Sequence, residues 1–250
     1  MNVEVIRHGV DFSGADSGGS AKIVIATLRP GEPATIRRRV DRIGLRRAIL
    51  DSAESTDRHV WRLDAPFSLP SIVLERHGIE HEWHALARWM EGFDSARSWR
   101  RTLRAVSRKE PRRTCDWAAR APMSPMNLRV FKQTWTMISE ILLPLADAGV
   151  HIAPVHVTDS PAIVSEACPA SVLAFRGLPV RGYKGASEAN AERRGDLCRL
   201  LVAWGVPVTR RDEEAAIRDI EGDIVDALLL LAEPTSHVPP AEAGVEAWIW

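Results

Sequence analysis

The stretch "RHGVDFSGAD" (residues 7–16) ends an apolar run on a carboxylate and passes at once into small turn residues. Asp11 follows Val10 and precedes Phe12, Ser13, Gly14 and Ala15; a second apolar run, "AKIVIATL" (21–28), comes after the turn. Two short apolar runs around the Gly/Ser/Asp-rich "SGADSGGS" predict strands over 4–10 and 21–28, joined as a hairpin. A charge in such a hairpin is costly when it is buried without a partner. Asp11 therefore needs partners from elsewhere in the chain.

Beyond the hairpin, "ATIRRRV" (34–40) suits a third strand at an edge or on a solvated face, and "GLRRAILDSA" (44–53) a short helix. "HVWRLDAP" (59–66) predicts a fourth strand that reaches a second carboxylate, Asp64, before Pro66 and Pro70 stop the extended run. Helical periodicity covers 82–108, with Trp83, Leu86, Met90 and Phe93 on one side. It returns over 126–148, where Leu128, Phe131, Trp135, Ile138, Leu142 and Leu145 recur at spacings of three and four. "VHIAPVHV" (150–157) predicts a fifth strand, and three helices follow over 165–177, 188–205 and 212–233. This order points to an α/β layer fold in one domain, residues 1–250. Residues from about 71 to 148 would be a helical insertion or an enlarged crossover.

With 250 residues, 45% of them hydrophobic, the chain has ample material for a core. Its formal net charge is zero, so total charge favours neither a nucleic-acid nor a membrane partner. Local charge is uneven. Ser95–Lys132 holds eleven Lys or Arg against Glu110 and Asp116, whereas Asp212–Glu246 holds ten Asp or Glu against Arg218. These blocks predict a basic face and an acidic patch, docked together or kept for different partners. Cys115, Cys168 and Cys198 are odd in number and lack metal-ligand spacing. The start of the chain is too polar for a signal peptide, and no apolar run approaches a membrane span. A cytoplasmic, reduced protein with no membrane contact is expected.

The partners for Asp11 come from the two ends of this pattern. Asp64 also ends a strand, and "GDIVDALLLLA" places Asp223 and Asp226 three apart on one face of the last helix, beside Ile220, Ile224, Ala227, Leu228 and Leu231. Four converging carboxylates repel one another unless cations neutralise them, and hard oxygen ligands suit Mg2+ or Mn2+. Two such ions about 4 Å apart support phosphodiester hydrolysis. Taken singly, each residue also reads as a turn former or a helix-dipole partner.

The strands "HGVDFSGA" and "WRLDAPFSLP", the stretch "SEACPASVLAFRGLPVRGYKG" and the helix "GDIVDALLLLA" together resemble the family of predicted nucleases with ribonuclease H-like fold (domain of unknown function 429). The Asp-x-x-Asp-Ala helix also resembles the last catalytic helix of bacterial Holliday-junction resolvases. The resemblance implies a mixed five-stranded sheet with Asp11 on the first strand, Asp64 at the fourth, and Asp223 and Asp226 on the closing helix. It also implies that the first-strand carboxylate bridges two ions. It implies no substrate, and it is silent over residues 82–133. Glu166 and Lys184 match the family's Glu-x-aromatic-Pro and Tyr-Lys stretches, with Cys168 in place of the aromatic. Glu166 reads either as a further ligand or base, or as a cap for the helix starting near Pro169. Lys184 reads either as a phosphate contact or as a solvated loop residue.

Five of the nine tryptophans lie from Trp83 to Trp135, a stretch that also holds the excess of arginine. Arg97, Arg100, Arg101, Arg104 and Arg108 recur at mostly helical spacings and would lay a phosphate-binding stripe on one face, or simply a solvated one. The tryptophans read first as helical core and second as stacking platforms for bases. There is no P-loop, no Gly-x-Gly-x-x-Gly and no serine in a nucleophile-elbow context. The leading expectation is a metal-dependent nuclease, a hydrolase acting on nucleic acid. A catalytically idle nucleic-acid-binding or scaffold protein and a nucleotide-binding phosphotransfer module are the alternatives.

Overall fold

The structure, a computed structural model, describes residues 3–16, 21–233 and 239–250. Residues 17–20 of the predicted turn lie outside this set. Among the described residues the chain forms one six-stranded mixed sheet in the order β3-β2-β1-β4-β6-β5. The strands are β1 (Val5–Asp11), β2 (Ile23–Leu28), β3 (Thr35–Val40), β4 (Arg58–Asp64), β5 (His151–Ala153) and β6 (Ala162–Ala167). The β1–β2 and β2–β3 pairs are antiparallel, while β1–β4, β4–β6 and β6–β5 are parallel.

Helices cover both faces. On one face lie α1 (Arg42–Ala53), α2 (Ser71–His77), α3 (Trp83–Glu91), α4 (Ala96–Val106), α6 (Phe131–Thr136) and α7 (Leu143–Asp147). Their apolar sides share a core with Val10, Ile25, Trp61, Leu63 and Val164 of the sheet. The other face carries α8 (Pro169–Phe175), α9 (Glu188–Ala203), α10 (Arg210–Arg218) and α11 (Asp223–Leu229), packed on Val24, Ala26, Leu28 and Ala167. Alternate residues of β2 thus feed opposite cores, as a strand covered on both sides requires. A short α5 (Thr114–Ala118) and the segment holding α12 (Ala243–Glu246) close the end of the sheet near β6, with Cys115, Trp248 and Ile249 packed together. Residues 71–147 contribute helices and turns but no strand. Among the described residues no helix is long and apolar enough to cross a membrane.

Several predicted elements are redrawn. The sheet has six strands rather than five, because residues 162–167 form β6 where a helix over 165–177 was expected. "AIVSEA" is buried on both faces, so it shows neither period, and the helix begins only at Pro169, whose fixed φ suits a first helical position. The predicted fifth strand shrinks to the three residues of β5. The helix over 82–108 is two helices, broken before Ser95, whose hydroxyl caps α4 by accepting from the Ser98 N–H at 3.2 Å. The helix over 126–148 begins at Phe131, leaving Leu128 exposed, and continues through a π-helical stretch (Met137–Leu142) into α7. The helix over 212–233 breaks at Gly222, which sits at φ +79°, so Ile220 falls in the break and is exposed.

Candidate metal centre

β1 and β4 run parallel with Asp11 opposite Asp64, each the last residue of its strand. In-register parallel neighbours project to the same face, so the two carboxylates stand side by side at the carboxyl edge of the sheet, where open α/β sheets bind ligands. The third carboxylate arrives through a close approach of α11 to β1. Gly9 makes that approach: a Cβ there would stand 2.1 Å from the Ala227 carbonyl oxygen and 2.9 Å from Leu230 Cβ. Asp226, one residue before Ala227, is thereby set beside Asp11. Carboxylate oxygens of Asp11, Asp64 and Asp226 lie within 4.8 Å of one another.

Two polar groups from distant segments hold the strand and helix ends in place. The buried Arg62, two residues before Asp64, donates to the carbonyls of Leu230 (2.9 Å) and Ala232 (2.5 Å), where its charge suits the end of α11. From α6, the Gln133 amide donates to the carbonyls of Phe12 (2.9 Å) and Asp64 (2.5 Å), tying together the ends of β1 and β4. Gly14 admits this helix, since a Cβ there would lie 2.4 Å from the Gln133 backbone.

Burial and mutual repulsion push all these acids upward. Asp64 is raised to about 8, first by burial and then by Asp226. Asp11 lies well above the usual carboxylate range through burial and the charges of Asp226, Asp223 and Asp64. Asp226 is raised by burial and held back by two partners, the Lys184 ammonium at 2.5 Å and the Tyr183 hydroxyl, which donates at 2.7 Å. Asp223, in the first turn of α11, lies outside the close trio but near enough to repel Asp11. It is raised to about 6 by burial and by Asp219. Protein groups therefore supply far less positive charge than the trio would carry when ionised. An all-oxygen donor set in this condition fits a hard divalent cation.

Asp64 and Asp226 line a cleft of about 290 Å³, together with Gln133, Glu166, Tyr183 and Lys184. Glu166 is not part of the trio. It pairs in register with Leu63, which turns its side chain to the opposite face from Asp64. There the buried Arg113 grips it with two bonds of 2.5 and 2.7 Å, and the Phe67 N–H donates at 2.9 Å. Arg113 also holds Asp116 at 2.7 Å, so one guanidinium serves two buried carboxylates. Glu166 does not cap α8 either; no side-chain bond caps that helix.

None of Arg97, Arg100, Arg101, Arg104 and Arg108 lines the cleft. Arg100 and Arg104 share Glu110, at 3.0 and 3.4 Å, and Arg100 also lies over the Phe131 ring. Arg97 reaches Asp16 in the β1–β2 turn at 3.5 Å, and Lys132 pairs with the same carboxylate. Arg101 and Arg108 are exposed. Trp83 and Trp99 are core residues, whereas Trp117 is 67% exposed with Arg112 over its ring. Sequence reasoning did not single out Tyr183, Gln133 or Arg113. Tyr183 had a signal in its place beside Lys184; nothing local marks Gln133, or distinguishes Arg113 from its neighbouring arginines. Comparison with protein-family models, curated proteins and solved structures yields no match to this chain.

Proposed function

We propose that the chain is a metal-dependent nuclease of ribonuclease H-like fold that hydrolyses phosphodiester bonds with two Mg2+ or Mn2+ ions. The observation that carries this reading is the convergence of Asp11, Asp64 and Asp226 within 4.8 Å at the carboxyl edge of the sheet. The fold reading draws support from the mixed sheet β3-β2-β1-β4-β6-β5, in which Asp11 and Asp64 end the adjacent strands β1 and β4.

When bound, such ions supply a nucleophilic water at neutral pH and neutralise charge on the phosphoryl oxygens. Asp11 would be shared between the two ions. Asp64 would hold one of them, and Asp226, with Asp223 close by, the other. Gln133 and Arg62 keep the strand ends and α11 in register, so the acids meet without rearrangement on binding. Lys184, at the cleft and 51% exposed, would face the substrate phosphate. Arg97, Arg101 and Arg108 would neutralise the backbone further out, making binding steeply salt-dependent.

Asp11→Asn keeps size and removes the charge that draws the ions. The expected result is loss of cleavage on branched, single-stranded and hybrid substrates in Mn2+, with nucleic-acid binding in EDTA retained. Cleavage by the variant at the parental rate, or none by the parent in either metal, would overturn the assignment. A second reading, an idle nucleic-acid-binding protein, draws on the engagement of both Asp226 oxygens by Tyr183 and Lys184. It takes over if the parent binds nucleic acid but cleaves none.

A further inference from the structure

Lys184 makes two demands on the site that do not fit one position. Its Nζ stands 2.5 Å from Asp226 Oδ2, the place a divalent ion would take, and the Tyr183 hydroxyl holds the other oxygen. An ammonium and a hard cation cannot both contact that oxygen along the same direction, because their charges repel at such separations.

The surroundings decide which part of Lys184 moves. Its main chain is pinned from three sides: Asn190 donates to the Lys184 carbonyl at 2.6 Å, and the Gly185 N–H donates to Ile220 at 2.6 Å. The buried Arg194 donates to the carbonyls of Tyr183 and Gly185 at 2.7 and 3.0 Å. The aliphatic stem lies over Gly222, where a Cβ would come 3.1 Å from Lys184 Cγ. The side chain, in contrast, is half exposed while Asp226 is 3% exposed. With the main chain held in place, the movement open to the ammonium is a change of side-chain rotamer toward solvent.

We infer that Lys184 is the resident counter-ion of the acidic trio: it occupies the Asp226 position in the metal-free protein and is displaced when a divalent cation binds. This rests on the metal-site reading above. The ammonium keeps Asp226 paired in the empty site, and metal affinity is set by competition with it. After displacement the same charge faces the anionic substrate, so one lysine serves both states.

The test is Mn2+ titration without nucleic acid, followed by the paramagnetic resonance of free Mn2+, on the parent, Lys184→Met and Arg181→Met. Arg181 is an exposed cation in the same loop and controls for the general field. Lys184→Met should bind Mn2+ about tenfold more tightly, because a charge-assisted bond need no longer be broken. Arg181→Met should stay within about twofold of the parent, as a screened surface charge does. In EDTA, Lys184→Met should also melt below the parent, and Mn2+ should raise its melting temperature by more. Binding by the parent that is unchanged or weakened in Lys184→Met overturns this inference and leaves the metal site standing. Equal tightening in Arg181→Met also overturns it. If neither the parent nor Lys184→Met binds Mn2+, the inference falls together with the reading it rests on.

Discussion

Asp64 shows how strongly a single carboxyl answers to its surroundings. It stands in register with Asp11 and faces Asp226, and its pKa rises from 3.8 to about 8. The folded protein thus holds a proton there that the unfolded chain has lost, over the window from about pH 4 to about 8. Asp223 adds the same sign up to about pH 6. More protons bound in the folded state means that stability declines as pH rises through this window. Buried histidines, His8 above all, are lowered and act with the opposite sign below about pH 6.5, so the carboxyl contribution is read as a difference between the parent and a variant without it, in EDTA and with Mn2+. Asp64→Asn removes the ionisation. It should match the parent near pH 4 and exceed it at pH 8 by roughly 2 kcal/mol, a value kept well below the full shift for relaxation and screening. A stability difference between Asp64→Asn and the metal-free parent that stays constant from pH 4 to pH 8 would contradict this account.

The pairing of β1 with α11 rests on a missing side chain. Gly9 lets the Ala227 carbonyl approach to a distance no Cβ would permit, and the helix it admits carries Asp226. Gly9→Ala should force α11 off the strand. An overpacked core contact of this kind costs about 3 kcal/mol or more, to be read from urea unfolding. It should also weaken Mn2+ binding, since Asp226 moves with the helix while Asp11 stays on the sheet. Retention of parental stability and metal affinity would show that the two elements are less tightly coupled than their spacing implies. Gly222 acts in a different way: its left-handed φ ends the turn after α10 and aims α11 at the sheet.

Across the fold, buried charge joins segments far apart in the chain. Arg113, from the helical region between β4 and β5, grips Glu166 of β6 and also donates to the Glu246 carbonyl at 3.2 Å. Arg62 of β4 donates to the Trp250 carbonyl at 2.7 Å, and the Trp250 N–H donates to the backbone carbonyl of Glu166 at 3.0 Å. Removing one partner of a buried pair leaves an uncompensated charge. Arg113→Met should therefore cost about 3–5 kcal/mol in urea unfolding. Adding Glu166→Gln should recover part of that loss, with Asp116 accounting for the remainder. Mn2+ affinity of Glu166→Gln alone should stay near the parent's, because Glu166 lies outside the carboxylate trio. A double variant no more stable than Arg113→Met would show that the pair is not coupled.

The strands ending at Asp11 and Asp64 and the helix bearing Asp223 and Asp226 were legible in the chain, because each is written locally. Apolar runs stop at turn residues, and a three-residue spacing shares a helix face. β6 was not legible, since a run buried on both faces carries no period and a following Pro-initiated helix blurs its end. The breaks at Ser95 and Gly222 fell inside apolar patterns that continue across them. The site divides in the same way. Local pattern placed each carboxylate at the end of its element. Their meeting depends on the β1–β4 register, which joins Asp11 to Asp64, and on the contact of Gly9 with Ala227, both far beyond the reach of local pattern. The partners Tyr183 and Lys184 on Asp226, and Arg113 on Glu166, are likewise chosen by which faces pack together. Backbone preference and hydrophobic period act over a few residues, and they settle elements. Register and close packing act between elements, and they settle which charges face one another.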